Sequence, residues 1–536
     1  RFVLLVTLAL GAGLTGLELM VTATALPTVV RDLADWTRLR EASWIVNGYL
    51  LTYAAAMPLA GGTADRYALP PLFLTALAIF AAGSLLAGAA PSLEWLIGAR
   101  LLQGIGGGAV VPLARAGASH LYDGQARDRA LGLVEAATYL GMAAGPFVGA
   151  TILTVADLTP FLQTLGPTSS AVVALLAPSW RWCFYLGAPA AALVAVYAWA
   201  AAPAWPAQTT RAGLDVPGAA YFTIALAAVL VALTWLGAPD ALGTPAATVG
   251  LLVVALAALG LALLRGRRMM DPFIDLGAFR QRPFTAATLV SLLTGYALAT
   301  GLIGAAVFVD RVLYGGPDDQ RLVLGPLALA MALGALGAGF GLRRLGARWV
   351  GTVGLVVGAA GLGLVGLAGP TTPELQVAGA LVIFGLGFGL SVTPRSSAAV
   401  ETLGRRAFGR ASADVAVARD IGLAVGLAVL AGFGSNRIQA LSVVLTDQAA
   451  RDAVLPAALQ GHDLQDPFVV DVLERWAAGQ AAGILAGIFL VAAAVMLLAI
   501  VPALAMEPRQ RRASPGDPSA GSGEPPAGSG GPPTGS

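Results

Sequence analysis

Three ionisable residues stand inside stretches that are otherwise apolar enough to cross a membrane: Glu18, Glu135 and Arg419. A charged side chain at the centre of a bilayer costs about 2.5 to 3.5 kcal/mol on insertion scales, so each is expected to have a function or a partner. Desolvation favours the protonated form of a carboxylate, whereas a nearby guanidinium favours the ionised form. Glu18 and Glu135 are therefore predicted proton sites, with Arg419 as the opposing charge.

Further polar residues lie close to these three in the sequence. Asp420 directly follows Arg419 and points about 100° away from it on an ideal helix, so we expect only one of the two to face a cavity. Tyr139 lies one turn after Glu135 and is placed to donate a hydrogen bond to it. For Arg100, near the start of its apolar stretch, a proton-relay role and snorkelling to the membrane surface both stay open. A static Glu135–Arg419 ion pair is the alternative to a proton relay.

The composition favours a membrane protein and argues against an enzyme or a nucleic-acid-binding protein. Of the 536 residues, 57% are hydrophobic and 12% are charged, whereas soluble proteins average about 25% charged residues. The single cysteine, Cys183, and two distant histidines, His120 and His462, do not suggest a disulfide, a metal site or a nucleophile with its base. We predict no metal, no cofactor, no enzymatic activity and, without basic clusters interleaved with aromatics, no nucleic-acid partner.

Apolar windows of about 20 residues predict about 14 transmembrane helices, an even number that places both termini on one side of the membrane. The loops on that side carry about twice as many arginines as the opposite loops, with Arg395 assigned to one of them. Both termini are therefore predicted to be cytoplasmic, in a multi-pass protein of the cell membrane. The predicted spans lie near 2–30, 42–62, 70–89, 93–117, 130–153, 182–202, 215–236, 246–264, 284–309, 322–342, 349–369, 376–394, 412–434 and 479–505.

Three segments are predicted not to span the membrane. Residues 155–179 form an outer insertion that is apolar enough to lie on the membrane surface. Residues 435–479 form a long outer loop, in which TDQAARDAVLPAAL and DPFVVDVLERWAA are each expected to fold as a short amphipathic helix. The Gly, Ser and Pro-rich tail, residues 509–536, is expected to be disordered and cytoplasmic.

The stretch GLVEAATYLGMAAGPFVGA, residues 132–150, combines the carboxylate with regularly spaced glycines. Gly141, Gly145 and Gly149 recur every four residues, so they share one helix face and allow a neighbouring helix to approach closely. Pro146 is expected to break the helix locally. With Gly132, these residues resemble the fifth-span antiporter signature of the major facilitator superfamily, which implies an exporter.

The segment GGTADRYALPPLFL, residues 61–74, resembles the conformational switch loop between the second and third helices of that superfamily. Gly61, Asp65 and Arg66 match its first half, whereas residues 68–70 depart from the usual glycine and two basic residues. Span one, GLELMVTATALPTVV, is similar to the drug:proton antiporter pattern, with Glu18 in the place of an aspartate. The fourth-span motif LIGARLLQGIGGG contains Arg100, and AVARDIGLAVG of span thirteen contains Arg419.

The resemblance covers spans one to fourteen and implies the all-α fold of the 14-helix drug:proton antiporter branch. Within that branch the sequence most resembles actinobacterial triacylglycerol and glycolipid exporters. It implies a six-helix bundle over residues 1–202, two inserted helices over 203–268 and a second six-helix bundle over 269–508. The implied function is proton-coupled export by alternating access, with protons, membrane lipids and a small hydrophobic substrate as partners of a monomer. The predicted cavity residues are Trp44, Tyr49, Tyr139 and Phe388.

Few fixed polar groups are expected in that cavity, which favours hydrophobic or amphiphilic cargo over sugars or amino acids. Multidrug efflux is the first interpretation, and export of triacylglycerol or glycolipid by the same fold is the alternative. A membrane receptor or scaffold without transport activity is a more distant possibility.

Overall fold

The computed structural model describes residues 1–34, 38–64, 67–122, 124–156, 173, 175–201, 205, 215–235, 244–269, 276–403, 414–430, 447–456, 459–461 and 467–506. Twelve helices in these ranges are long and apolar enough to cross a membrane by length and composition. Two more helices, Trp44–Ala64 and residues 414–430, complete the order predicted from the sequence. The first carries polar residues, and the second is shorter in the described ranges.

The long helices follow one another along the chain and are numbered here as α1 to α14. They are α1 (Phe2–Leu33), α2 (Trp44–Ala64), α3 (Leu69–Gly88), α4 (Leu93–Leu121), α5 (Gly124–Val155), α6 (Ser179–Ala200), α7 (Val216–Trp235), α8 (Pro245–Gly266), α9 (Arg282–Arg311), α10 and α11 (together Pro317–Gly366), α12 (Glu374–Leu403), α13 (residues 414–430) and α14 (Pro467–Leu498).

Local sequence signals explain several helix boundaries. At the start of α4, the Ser92 side chain accepts a hydrogen bond from the backbone N–H of Trp95, and Thr244 caps α8 in the same way. The chain turns between α10 and α11 at Gly346, whose φ of 78° lies in the left-handed region that a residue without Cβ adopts at little cost. Two antiparallel helices are thereby joined by a very short connection.

Helices α1–α6 form one bundle, helices α9–α14 form a second, and α7 packs with α8 beside them. In the first bundle α1 packs mainly on α5, and α4 packs on α2 and α3. In the second, α10 and α11 pack on α12 and α14, and α9 packs on α12. The bundles meet where α5 packs on α10, with the ring of Phe147 lying against Gly325. The inserted α7 contacts α2.

Several helices extend beyond their predicted ends, and this changes the setting of Arg395. Helix α12 continues through Pro394 to Leu403, and α4 continues through Pro112 to Leu121. A proline in a membrane helix is tolerated when neighbouring groups satisfy the freed carbonyl, so it does not mark a helix end. The assignment of Arg395 to a loop is therefore wrong, because this residue lies inside α12 and is 2% exposed.

The last helix also begins earlier than predicted, at Pro467. The DPFVVDVLERWAA segment is thus its first part and not a separate amphipathic helix, with Val469 and Leu473 packed on Leu455. In the TDQAARDAVLPAAL segment a short helix forms over Gln448–Asp452 as predicted. Most of the predicted outer insertion, residues 157–172, and the tail from residue 507 lie outside the described residues.

Candidate functional site

The glycine face of α5 packs directly on α1, as its four-residue spacing predicts. A Cβ added at Gly141 would overlap the carbonyl of Gly13, and one added at Gly145 would overlap the side chain of Met20. Gly149 faces Thr24 at a looser distance. Backbone-to-backbone contact of this kind is available only to residues without side chains, so the α1–α5 spacing depends on these positions.

Two other residues of the same signature behave differently from the packed glycines. Gly132 has no atom within 4 Å of an added Cβ, so it does not contribute to the close approach. Pro146 is buried, and the helix continues through it from Gly124 to Val155, so the predicted local break does not interrupt α5. The packing function therefore lies in the three later glycines of the signature.

Within the first bundle, Glu18 of α1 forms an ion pair with Arg100 of α4. The distance from Arg100 Nη1 to Glu18 Oε1 is 2.8 Å, and the side chains are 0% and 3% exposed, respectively. Arg100 also donates to Gln103 Oε1 at 2.5 Å, and Gln103 Nε2 donates to Ser84 Oγ of α3 at 2.9 Å. These four residues are called the intrabundle cluster below.

The intrabundle cluster is tied to all of the helices around it. Arg100 Nε donates to the carbonyl of Ile45 on α2 at 3.2 Å, and its guanidinium carbon lies 4.2 Å from the centre of the Tyr49 ring. Ser84 Oγ donates to the carbonyl of Phe184 on α6 at 3.0 Å. A change of charge at Glu18 would therefore act on the packing of helices α1, α2, α3, α4 and α6 together.

A second group of charges lies where the two bundles face each other. A small cavity there is lined by residues of α4 and α5 from the first bundle and of α9, α12 and α13 from the second. Its lining residues are Arg115, Glu135, Ser291, Val392, Arg395, Ser396, Val415, Ala416 and Arg419. We call Arg115, Glu135, Arg395, Arg419 and the adjacent Asp420 the interbundle cluster.

The two carboxylates of the interbundle cluster are paired with two different arginines. Glu135 pairs with Arg115, whose side chain is 8% exposed, while that of Glu135 is 25% exposed. Arg419 Nε donates to Asp420 Oδ1 at 2.9 Å, and Arg419 Nη1 donates to the hydroxyl of Tyr139 at 3.4 Å. Since Tyr139 belongs to α5 and Arg419 to α13, this last hydrogen bond joins the two bundles.

Arg395 is the third arginine of this cavity, and its hydrogen bonds go to neutral groups. Its Nε donates to the carbonyl of Ser391 at 2.8 Å, and its Nη1 donates to the hydroxyls of Thr294 and, at 3.5 Å, Ser291. The Nη2 atom is buried without a partner in the described part of the chain. The ring of Phe388 lies 5.4 Å from its guanidinium carbon.

This geometry corrects the pairing predicted from the sequence. Glu18, Glu135 and Arg419 do not share one cavity, because Glu18 is buried inside the first bundle and does not line it. Glu135 pairs with Arg115 rather than with Arg419, and Arg419 pairs with its neighbour Asp420. Tyr139 is bonded to Arg419 instead of Glu135. As predicted for adjacent residues, only Arg419 of the Arg419–Asp420 pair lines the cavity.

For Arg100, the structure decides between the two interpretations that the sequence leaves open. Its side chain is fully buried and paired, so it does not snorkel to the membrane surface. Trp44 is half-buried, and Tyr49 and Phe388 are buried against arginines; none of these three lines the cavity. Of the switch loop, Gly61 lies buried in α2, whereas Asp65 and Arg66 fall outside the described residues.

Four residues of these clusters are not identified from the sequence: Ser84, Gln103, Arg115 and Arg395. Arg395 directly follows Pro394, where its predicted span ends, whereas Arg115 lies inside the predicted span 93–117, and its charge within that apolar stretch is the signal that could have identified it. Gln103 lies three residues after Arg100, so the two side chains share a helix face. That spacing was the signal that could have identified it from the sequence.

Comparison with known proteins agrees with this architecture. The model of the Major Facilitator Superfamily matches residues 8–427. A triacylglyceride transporter of Mycolicibacterium smegmatis is 31% identical over 465 residues, which cover 83% of this chain and 78% of the relative. A triacylglyceride transporter of Mycolicibacterium hassiacum is 30% identical over 469 residues, covering 84% and 82%, respectively.

A similar fold is seen in a solved structure of more distant sequence. The inward-facing, unoccupied crystal structure of a bacterial homologue of the human lysosomal transporter Spinster superposes with a TM-score of 0.60 at 18% identity. The match covers 94% of this chain and 97% of that one. The predicted all-α fold of two bundles with inserted helices is confirmed, and this multi-pass membrane chain belongs to the major facilitator superfamily of transporters.

Proposed function

We propose that the protein is a proton-coupled exporter of acyl lipids such as triacylglycerol, in which Glu18 is the proton site. The observation that carries the coupling is the Glu18–Arg100 pair, which is buried in one bundle and bonded to the surrounding helices. The names of the relatives favour lipid cargo over multidrug efflux, which becomes the alternative outcome of the test.

In the proposed cycle, protonation neutralises Glu18 and removes its attraction to Arg100. A buried arginine that loses its counter-charge becomes unfavourable, so the arrangement of α1 against α4 changes in stability. Helix α1 also packs on the glycine face of α5. The same helix α5 contains Glu135 and Tyr139, which face the second bundle. A change at Glu18 is thereby transmitted to the surface on which the bundles rock during alternating access.

The interbundle cluster has a different task in this proposal. Its ion pairs come from each bundle separately, and they line the cavity between them. The Tyr139–Arg419 hydrogen bond crosses the bundles and must break when they separate on that side. The contacts of this cluster would change when cargo binds and when the bundles move, whereas the intrabundle cluster would bind the proton.

The test is transport by the purified full-length protein in proteoliposomes with an imposed pH gradient. A fluorescent triacylglycerol and a cationic dye are offered in parallel, and Glu18→Gln is compared with Gln460→Glu as a control outside the bundle cores. We expect gradient-driven movement of the lipid and a loss of about 100-fold or more in Glu18→Gln, in the range typical of one proton-transfer group. Dye transport without lipid transport would instead establish drug efflux, and gradient-independent lipid movement would contradict proton coupling.

A further inference from the structure

We infer that the interbundle cavity is a binding site for the anionic headgroup, carboxylate or phosphate, of an acyl lipid, with Arg395 as its main ligand. The inference rests on the proposed function in taking the ligand to be an acyl lipid. Since triacylglycerol has no anionic headgroup, the ligand of this site is a charged acyl lipid and not triacylglycerol itself. Its observation is separate, because it concerns the charges of the cavity and not the Glu18–Arg100 pair.

The charges around the cavity do not balance. Three guanidinium groups face two carboxylates, and each carboxylate already has its own arginine, in the pairs Arg115–Glu135 and Arg419–Asp420. Arg395 forms no ion pair with any described residue, although it is 2% exposed. A buried charge without a counter-charge is unfavourable. The folded protein has already met the desolvation cost of the Arg395 guanidinium, so an anion that enters the cavity can pair with it without that cost.

The surroundings of Arg395 suit a small anion. Its Nη2 is an N–H donor with no partner in the described ranges, and the hydroxyl groups of Ser291 and Ser396 line the same cavity. The bonds to Thr294 and to the Ser391 carbonyl hold the guanidinium in a fixed orientation. A preoriented guanidinium with nearby hydroxyls is a common way to bind carboxylate or phosphate.

The remaining walls indicate that the ligand is an amphiphile. Val392, Val415 and Ala416 complete the lining, so apolar surface adjoins the arginines. The cavity is narrow, and it would take the headgroup while the acyl chains extend between the bundles. A free inorganic anion would use the arginines but gain nothing from the apolar wall.

The experiment measures binding to the full-length protein in phosphatidylcholine nanodiscs, with empty nanodiscs as the blank. Radiolabelled oleate is compared with oleyl alcohol, which has the same chain and no charge, and inorganic phosphate is added as a competitor. We expect oleate to bind at least about tenfold more tightly than oleyl alcohol, as for a hydrogen bond to a charged group. Equal affinities, or displacement of oleate by millimolar phosphate, would overturn the inference.

Variants of Arg395 test whether this residue causes the preference for oleate over oleyl alcohol. Arg395→Gln should remove the preference for oleate without changing the affinity for oleyl alcohol, and Arg395→Lys should keep part of it. Arg268→Gln is the matched control, since Arg268 is an exposed arginine that does not line the cavity. Should Arg395→Gln fail to fold in a thermal unfolding assay, Arg395→Met, which keeps much of the length of the side chain without its charge, takes its place, and an unchanged preference for oleate in it would overturn the inference.

The two proposals fail in different ways. In the unmodified protein, equal binding of oleate and oleyl alcohol together with gradient-driven triacylglycerol transport would refute only the headgroup site. Intact oleate preference without transport of any lipid would refute only the proposed function.

Discussion

The intrabundle and interbundle clusters contain the same kinds of side chains in opposite settings. Glu18 and Arg100 lie inside one bundle, almost without exposure, and are bonded to three further helices. The Arg115–Glu135 pair lies at a cavity between bundles, and Glu135 is 25% exposed. Burial raises the free-energy cost of an unpaired charge, so a change of protonation at the buried pair has a large effect on stability. Partial exposure lowers that cost, so the charges at the cavity can exchange partners as the bundles move.

The glycine face of α5 connects these two settings. Glu18 lies on α1 between residues that touch α5, and Glu135 lies on α5 a short distance along the helix from Gly141. Because Gly13 and Gly141 meet through their backbones, α1 and α5 cannot slide past each other without a change at both clusters. The clusters thus differ in burial, and the contact between α1 and α5 links a movement at one cluster to a movement at the other.

The largest effect is expected from Arg100→Ala, which leaves Glu18 buried without a counter-charge. Removing one partner of a buried ion pair costs about 3 to 5 kcal/mol, so the thermal unfolding temperature in detergent should fall sharply. Adding Glu18→Gln to this variant should restore much of the loss, because the remaining partner is then neutral. An unfolding temperature equal to that of the unmodified protein would show that the pair is not energetically important.

Next in size is the effect of Gly141→Ala, for which Gly132→Ala is the matched control on the same helix. The added methyl group at residue 141 overlaps the Gly13 carbonyl, whereas that at residue 132 meets nothing within 4 Å. Overpacking typically costs about 1 to 3 kcal/mol, so only the first variant should lose stability and transport. Equal behaviour of the two variants in thermal unfolding and lipid transport would disprove the contact between α1 and α5.

A smaller effect is expected for the Arg115–Glu135 pair, measured by a double-mutant cycle with Arg115→Gln and Glu135→Gln. Its coupling energy should be about 1 kcal/mol or less, since the carboxylate is partly solvated. The corresponding cycle for Glu18 and Arg100 should give a value several times larger. If the cycle at the interbundle cavity gave the larger coupling, burial would not be what distinguishes the clusters.

Much of the fold could be predicted from the sequence because apolar windows and glycine spacing are local signals. The windows identified the long helices, and the spacing of Gly141, Gly145 and Gly149 identified the face of α5 that packs closely. Helix ends were less predictable, since the span predicted to end at Pro394 continues to Leu403 in a membrane helix whose neighbours accommodate the proline.

The pairing of charges could not be predicted in the same way. Helical periodicity tells which residues of one helix share a face, but not which helix that face meets. Glu18 and Arg100 were each identified as intramembrane charges, yet their contact depends on how α1 and α4 pack. The sequence suggests Arg419 as the partner of Glu135, whereas the actual partner is Arg115, whose position beside Glu135 depends on how α4 and α5 pack.

The central claim is that Glu18, and not Glu135, carries the coupled proton. It is tested most directly by measuring proton release on lipid addition, with a pH indicator in weakly buffered detergent solution, for the unmodified protein, Glu18→Gln and Glu135→Gln. We expect release from the unmodified protein and from Glu135→Gln, and none from Glu18→Gln. Undiminished release from Glu18→Gln, with release abolished in Glu135→Gln, would contradict the account and place the proton at the interbundle cavity.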